Sequence, residues 1–307
     1  MSLLQRMSSE LRLDPDFIMS TVNSTKKYRI YKKGSKFIYN SSGELKTLQY
    51  WLNSKIFSIL EYSKFTAAYQ KGCSIKKNAS IHSKSNYILH TDIENFFNNI
   101  TEYHINILLE EINQLGKSDK ELIKKIILYK GHLVIGSVSA PHISNCVMYK
   151  FDIELYDTII NNTNMKYTRY ADDITISSKE YITHDVIKKV EALLVKYKFS
   201  INNNKTYFSS RATRRRVTGI TIDNSTNELS LGHKKYKFIK KEIYNFLVKE
   251  QGCKDKILGN LAFIKDINSK KYDELKSVYL KYDKEGIVFS KEEKDIELKD
   301  EHEISSY

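Results

Sequence analysis

The sequence predicts an α+β protein, an antiparallel sheet with helices behind it, and three observations carry that expectation. Lys166 to Ser177, KYTRYADDITIS, reads as two short strands of β-branched and aromatic residues, Tyr167 to Tyr170 and Ile174 to Ser177, joined by a tight Ala171-Asp172-Asp173 turn. Asn86 to Ile93, NYILHTDI, reads as a buried strand ending in a carboxylate, Asp92. Between and after these stretches, apolar residues recur at the spacing of amphipathic helices.

Composition bounds what such a protein can do. The 307 residues can form one large or a few small subdomains with real cores. Lys and Arg number 50 against 37 Asp and Glu, a formal charge of +13, which favours a polyanionic partner. No apolar run approaches the roughly 20 residues needed to span a bilayer. The start, MSLLQRMSSELRLDPDF, lacks the apolar core of a signal peptide, so no membrane partner and a cytoplasmic location are expected. Cys73, Cys146 and Cys253 are odd in number and far apart, and the 8 histidines are scattered. Neither a disulfide framework nor a zinc site is predicted. The 22 tyrosines are mainly packing residues, though in a basic protein they also offer flat faces to bases.

In chain order, residues 1 to 26 read as a helical segment interrupted at Asp14-Pro15, with no chemistry of its own. Lys26 to Tyr39 alternates basic and apolar residues around Gly34 and predicts a hairpin. Its lysines serve either to blunt a sheet edge or to contact phosphate. Glu44 to Leu60 is helical by periodicity, with Leu45, Leu48, Leu52, Ile56 and Ile59 on one face. Tyr69 to His82 reads as a mixed polar loop, with Lys71, Lys76 and Lys77 open to a nucleic-acid backbone. After the Asp92 strand, Thr101 caps a helix that turns Ile105, Leu108, Leu109, Ile112 and Leu115 inward and closes at Gly116. Ser118 and Glu121 form a capping box for a second helix ending before Gly131.

His132 to Pro141 is a small-residue turn, of the kind that approaches a ligand closely, leading into a helix that carries Ile143, Val147, Met148, Phe151 and Leu155. Beyond the hairpin, Asp185 to Lys198 is amphipathic, with Val186, Val190, Leu193, Leu194 and Tyr197 inward. Ile201 to Thr206 is a polar turn. Arg211 to Arg216 is strongly basic and feeds a strand, Val217 to Ile222; such a run is either a solvated face or a phosphate site. Three helices follow near 233–250, 255–268 and 270–283, with 14 Lys against 7 acids between Gly232 and Lys284. The end, 285–307, reverses sign and is expected to be a partly disordered acidic tail. Tyr170, Arg214, Arg215, Arg216, Lys234, Lys235 and Lys237 are the candidate nucleic-acid contacts.

Aspartate is common in turns, so a hairpin Asp pair alone has a plain reading. A third carboxylate changes the balance. If the Asp92 strand pairs with the hairpin in one sheet, Asp92, Asp172 and Asp173 converge, and adjacent carboxylates repel unless a cation or proton lies between them. Carboxylates so gathered hold two divalent cations about 3.5–4 Å apart, the geometry of in-line phosphoryl displacement. Oxygen ligands suit Mg²⁺, with Mn²⁺ as a substitute.

These residues also carry a resemblance. YADD within RYADDITIS resembles the polymerase hairpin of reverse transcriptases, and DIENFF resembles the metal-binding motif that precedes it, in the same order and at similar spacing. INNNKT and Arg215-Arg216-Val217-Thr218-Gly219 resemble the retron-type members, and KFIY…GELKTLQYWL resembles their fingers. The resemblance covers roughly residues 27 to 283. It implies a right-hand polymerase fold: fingers at 27–85, an antiparallel-sheet palm carrying the YADD hairpin and inserted finger helices at 86–231, and a helical thumb at 232–284. The segments 1–26 and 285–307 flank it.

The resemblance further implies an RNA-directed DNA polymerase, with Asp92 and Asp172 as the main ligands of two Mg²⁺ ions, Asp173 as auxiliary ligand and the Ile93 carbonyl as a backbone ligand. Phe97 matches the side chain that stacks under the deoxyribose and excludes a 2′-OH, with Phe96 beside it in the core. Lys36 matches a basic residue near the triphosphate, Lys205 a lysine near the pyrophosphate, and Gly136 the glycine of the nucleotide-side turn. That turn usually reads Leu-Pro-Gln-Gly-x-Pro-x-Ser-Pro. Here it is Leu133 to Pro141, with Ile135 in place of the hydrogen-bonding glutamine. Implied partners are dNTPs, a cognate structured non-coding RNA copied from one of its own 2′-hydroxyls, the resulting DNA, and a separate effector protein in anti-phage defence. The competing readings are a silent RNA-binding module, an intron-derived or phage-exclusion reverse transcriptase, and a two-metal nuclease, for which Phe97 has no purpose.

Overall fold

The computed structural model describes residues 1–34 and 36–289. From 290 on, the expected acidic tail lies outside the described residues. Contacts divide the chain into one unit, Met1–Asn227, and a second from Glu228 onward.

The first unit opens with α1 (Leu3–Leu11) and α2 (Pro15–Asn23), and Asp14-Pro15 acts as a start, since Asp14 caps α2 with Pro15 in its first turn. β1 (Tyr28–Lys33) and β2 (Lys36–Ser41) form the expected antiparallel hairpin. Ser42 caps α3 (Gly43–Lys55), which buries Leu45, Leu48 and Leu52. The helix stops short of Leu60: Phe57–Ile59 tightens into a 3₁₀ turn that buries Phe57 and leaves Ile59 exposed.

Part of the expected polar loop at Tyr69 to His82 is helix α4 (Ile75–His82), capped by Ser74. Its inward face carries Asn78 and His82 and has no apolar stripe to betray it. Those side chains are met by partners on the sheet: Asn78 Oδ1 accepts from Thr168 Oγ1 at 2.6 Å, and His82 pairs with Ser177 Oγ and Thr168 Oγ1 at 2.7 and 2.8 Å.

β3 (Tyr87–Asp92) leads through the short α5 (Phe96–Asn99) to α6 (Glu102–Glu110) and α7 (Lys117–Ile127). Thr101 caps α6 as expected, but the helix ends at Glu110, and Gly116 begins α7 instead of closing α6. The capping box is Gly116 with Asp119, whose Oδ2 accepts from the Gly116 amide at 3.2 Å, and Ser118 lies inside the helix. The helix expected after Pro141 is two, α8 (Ala140–Val147) and α9 (Tyr149–Leu155), broken at Met148. The hairpin is β4 (Lys166–Tyr170) and β5 (Asp173–Ser178), followed by α10 (His184–Lys196) and β6 (Tyr207–Ser210). Val217 to Ile222 is not one strand: β7 (Arg215–Val217) turns at Thr218 and Gly219, both at positive φ, into β8 (Ile220–Ile222).

The central sheet has the order β4-β5-β3-β6, antiparallel throughout. Because side chains alternate between faces, Leu89, Ile174 and Ile176 enter the main core beside Phe151 and Leu155. The opposite face carries Asp92 and His90 on β3 and Asp173 and Thr175 on β5.

The second unit holds α11 (His233–Lys249), α12 (Lys254–Ile267) and α13 (Ser269–Tyr279), each within a few residues of expectation. Ile239, Ile243, Ile257, Leu261, Ile264 and Leu275 are buried in it. The buried Asp283 accepts the amides of Ile287, Val288 and Phe289 at 2.8, 2.9 and 2.6 Å. Among the described residues no helix is long and apolar enough to cross a membrane.

Candidate active site

Antiparallel pairing sets Asp92 directly opposite Asp173, and the two-residue turn Ala171-Asp172 brings the third carboxylate beside them. One oxygen from each of Asp92, Asp172 and Asp173 lies within 4.8 Å of the others. The tip is held from two sides. The Ile93 amide donates to the Asp172 carbonyl at 2.9 Å, and Arg169 Nη1 donates to the Ala171 carbonyl at 3.1 Å. Ala171 has φ +57°, a left-handed conformation that costs energy in a residue with a Cβ and persists only where its surroundings enforce it.

Arg169 is fully buried and forms a two-pronged pair with the equally buried Asp152 of α9, Nε to Oδ1 at 2.8 Å and Nη2 to Oδ2 at 2.7 Å. Tyr167 Oη and Ser63 Oγ each donate to Asp152 at 2.6 Å, and Thr66 Oγ1 accepts from Arg169 Nη2 at 2.9 Å. Sequence reading missed this cluster. Its signal was present in the charges themselves, an Arg between Thr168 and Tyr170 in a predicted strand and an Asp between Phe151 and Ile153.

The electrostatics are those of an acidic cluster short of positive charge. Loss of hydration raises the Asp172 pKa and the neighbouring Asp92 adds to it, while Lys205 and Lys36 oppose. Asp173 is pushed up to about 6, first by loss of hydration and then by the charges of Asp172 and Asp92. Lys205 Nζ meets both oxygens of Asp92 at 2.8 and 2.9 Å, and that hydrogen bonding raises the lysine's own pKa. Three close carboxylates with an all-oxygen donor set fit a hard divalent cation better than any soft metal.

A cavity of about 490 Å³ opens beside Asp92 and Asp172, and Lys36, Tyr69, Phe97, Ile135 and Lys205 contribute to its walls. Phe97 is half-buried against Phe96, which is in the core. Ile93 is buried beneath the cluster. Tyr69, at φ +61° and with a pKa raised first by burial and then by the charge of Asp172, was not anticipated, and nothing in its sequence context marks it.

Gly136 is required by the protein's own packing. A Cβ there would lie 2.8 Å from the Tyr39 carbonyl, and the Tyr39 amide donates to the Ile135 carbonyl at 2.8 Å. The turn is thus docked on β2 through its backbone, with the Ile135 side chain left as an apolar piece of cavity wall.

Among the expected nucleic-acid contacts, Arg214 and Arg216 are exposed and Tyr170 is half-buried opposite Asp173. Arg215 corrects the expectation. It is fully buried and donates to Asn224 Oδ1 and to the Ser83 and Asp223 carbonyls at 2.9, 3.2 and 2.7 Å, which leaves it no free edge for a phosphate. Lys234, Lys235 and Lys237 are exposed on α11 of the second unit.

Comparison with known proteins adds an independent finding. A family model described as reverse transcriptase (RNA-dependent DNA polymerase) matches residues 26–222. The chain is 30% identical over 297 residues to the retron Ec86 reverse transcriptase of Escherichia coli, spanning 92% of this chain and 90% of that one. It is 32% identical to the retron Ec83 reverse transcriptase of the same organism, over 76% of this chain and 80% of that one.

Proposed function

Given that the chain belongs to the retron-type reverse transcriptases, and is therefore an RNA-directed DNA polymerase of α+β right-hand architecture, we propose that it copies a cognate structured non-coding RNA into a short DNA. Synthesis starts from a 2′-hydroxyl of that RNA and leaves a joined RNA–DNA product. The observation that carries the reading is the meeting of Asp92, Asp172 and Asp173 beside a cavity large enough for a nucleotide.

In this reading Asp92 and Asp172, helped by Asp173 and the Ile93 carbonyl, hold two Mg²⁺ ions, with Mn²⁺ as a substitute. When bound, the ions supply activation of the attacking hydroxyl and stabilisation of charge on the phosphates. The protein's own groups do the positioning. The half-buried Phe97 ring lies under the incoming sugar and leaves no room for a 2′-OH. Lys36 neutralises the triphosphate, and Lys205 brings a second positive charge to the departing phosphates. With Ile135 in place of an amide, that wall holds the nucleotide by shape alone. Exposed Arg214, Arg216, Lys234, Lys235 and Lys237 contact phosphates, giving salt-dependent binding that reads A-form shape rather than sequence. The product complex, in the cytoplasm, restrains a separate effector protein in defence against phage.

Primer extension in Mg²⁺ on an RNA template tests the core of this. Wild type extends, and Asp172→Asn does not, while RNA retention is equal in both. Extension by the variant, or none by the wild type, overturns the polymerase assignment. Sequencing the nucleic acid that copurifies tests the retron part, which requires one short branched RNA–DNA species.

A further inference from the structure

Tyr69 lines the cavity beside Asp92 and Asp172, and no step of the polymerase chemistry employs it. Its backbone is held at φ +61°. A residue with a Cβ adopts that conformation at a cost, so it persists only where the surroundings impose it. They do so here from both sides. Before Tyr69, the Ala67 amide donates to the Arg169 carbonyl at 2.7 Å, and the side-chain amide of the buried Asn145 donates to the Ala68 carbonyl at 2.9 Å. After it, the Cys73 amide donates to the Gln70 carbonyl at 3.2 Å and closes a turn. The segment is thus fastened to β4 and α8, and the strain falls on a residue that is 48% exposed. Glycine would hold the same turn without strain, so the backbone alone does not account for the tyrosine.

Two rings of opposite chemistry line this cavity from different segments, Phe97 and Tyr69. Phe97 is wholly apolar. Tyr69 ends in a hydroxyl that, among the described residues, has no hydrogen-bond partner in the protein. Burial and then the charge of Asp172 raise its pKa, which sets the ring near the reacting centre and keeps the hydroxyl protonated. A templating ribonucleotide and an incoming deoxynucleotide form one base pair, and their sugars differ by one hydroxyl. The apolar ring suits the sugar that lacks it, and the phenol suits the sugar that carries it. The charges agree. Beyond Tyr69 the chain borders another cavity, of about 200 Å³, lined by Lys64, Lys71 and Lys77 and by no acid. Lys36 and Lys205 stand on the nucleotide's own cavity, so a cationic wall that continues past Tyr69 fits a strand with phosphates of its own.

We propose that Tyr69 is a specificity-determining residue for the template: its ring packs against the templating nucleotide, and its hydroxyl hydrogen-bonds to the 2′-OH of that nucleotide's ribose, so that RNA is copied in preference to DNA. The inference rests on the polymerase reading and adds to it the group that recognises the template's sugar. A phenol and a 2′-OH each donate and accept, so the pair needs no third group.

Each half of the contact can be removed alone. Tyr69→Phe deletes the protein hydroxyl, and an RNA template with a single 2′-deoxynucleotide at the templating position deletes its partner. The full chain extends an annealed DNA primer by one nucleotide on the two templates at fixed salt, and kcat/KM and the KM for dNTP are measured. For wild type, kcat/KM is expected to fall about threefold to tenfold on the substituted template. Tyr69→Phe is expected to show that loss already on the all-RNA template, with no further loss on the substituted one and the KM for dNTP unchanged. Tyr69→Gly relieves the strained backbone and removes the ring, and it is expected to copy both templates about tenfold less efficiently. A wild type indifferent to the substitution would overturn the proposal. So would a Tyr69→Phe that still discriminates as wild type does, a loss in Tyr69→Phe confined to the KM for dNTP, or a Tyr69→Gly that copies RNA as wild type does. Should the wild type extend neither template, the polymerase reading falls. Equilibrium affinity of wild type and Tyr69→Phe for the two primed templates then still decides whether Tyr69 touches that ribose.

Discussion

Replacing Asp152 by Asn tests how the hairpin tip is held. Asp152 and Arg169 are both wholly buried, and Asp152 neutralises a guanidinium that has no other acid within reach among its hydrogen-bond partners. Asparagine keeps the shape but turns an amide donor toward donors and leaves the Arg169 charge uncompensated. Breaking one half of a buried pair costs about 3–5 kcal/mol, a large part of the roughly 5–15 kcal/mol that stabilises a domain. At about 2–4 °C per kcal/mol for a unit of this size, the midpoint of thermal unfolding should fall by roughly 6–20 °C. Activity should fall too, measured well below that midpoint, because a displaced guanidinium releases the Ala171 carbonyl from which Asp172 is hung. The pair of substitutions Asp152→Asn with Arg169→Met separates the two effects. Removing both charges should return about 1–3 kcal/mol of the lost stability yet leave polymerisation impaired, since nothing then holds Ala171. Thermal melts and primer extension on the single and double variants decide the matter. A double variant that polymerises like wild type would refute the claim that Arg169 positions the tip, and a melt of Asp152→Asn within about 2 °C of wild type would refute the claim of a fully desolvated pair.

Two further outcomes are expected. The Asp173 pKa is raised to about 6 in the fold, so the folded state binds that proton more tightly than the unfolded chain. Its contribution to stability is then present below the ordinary carboxylate range near pH 4 and is lost as pH climbs through about 6. In metal-free protein the melting temperature of wild type relative to Asp173→Asn should fall over that interval, modestly because Asp173 is exposed, and Mg²⁺ should offset the fall as it takes the proton's place. The arginines should divide by burial. Arg215→Met should lower stability by about 1–3 kcal/mol, whereas Arg214→Ala and Arg216→Ala should each leave the melt unchanged and reduce the salt slope of RNA binding by about 1.

The elements that sequence reading found are those whose partners are neighbours in the pattern. β3 announces itself as a buried-strand run and the hairpin by its β-branched and aromatic flanks, and the helices of the second unit by apolar spacing, so their limits and the meeting of Asp92 with the distant Asp172-Asp173 pair were legible. What escaped is polar and buried. α4 hides its inward face behind Asn78 and His82, whose partners lie on strands ninety or so positions later in the chain. Arg215 looks like its exposed neighbours because nothing local says that the Ser83 and Asp223 carbonyls converge on it. At Gly136 the close approach of β2 was not legible, because an approach by phosphate would demand the same residue. Apolar burial leaves a periodic trace in sequence, while the satisfaction of a buried polar atom depends on packing between remote segments.

Asp92 and Asp173 face each other because they are register partners in an antiparallel ladder, and that has a consequence for how such a centre can change. Strand pairing shifts only in whole residues, and a slip of one turns every side chain over. A single-residue insertion within β5 would present Ile174 to the cation and bury an acid in the hydrocarbon interior. The spacing between the two acids therefore cannot drift by small degrees. It is inherited intact or lost outright, and variation is confined to the side chains that surround it.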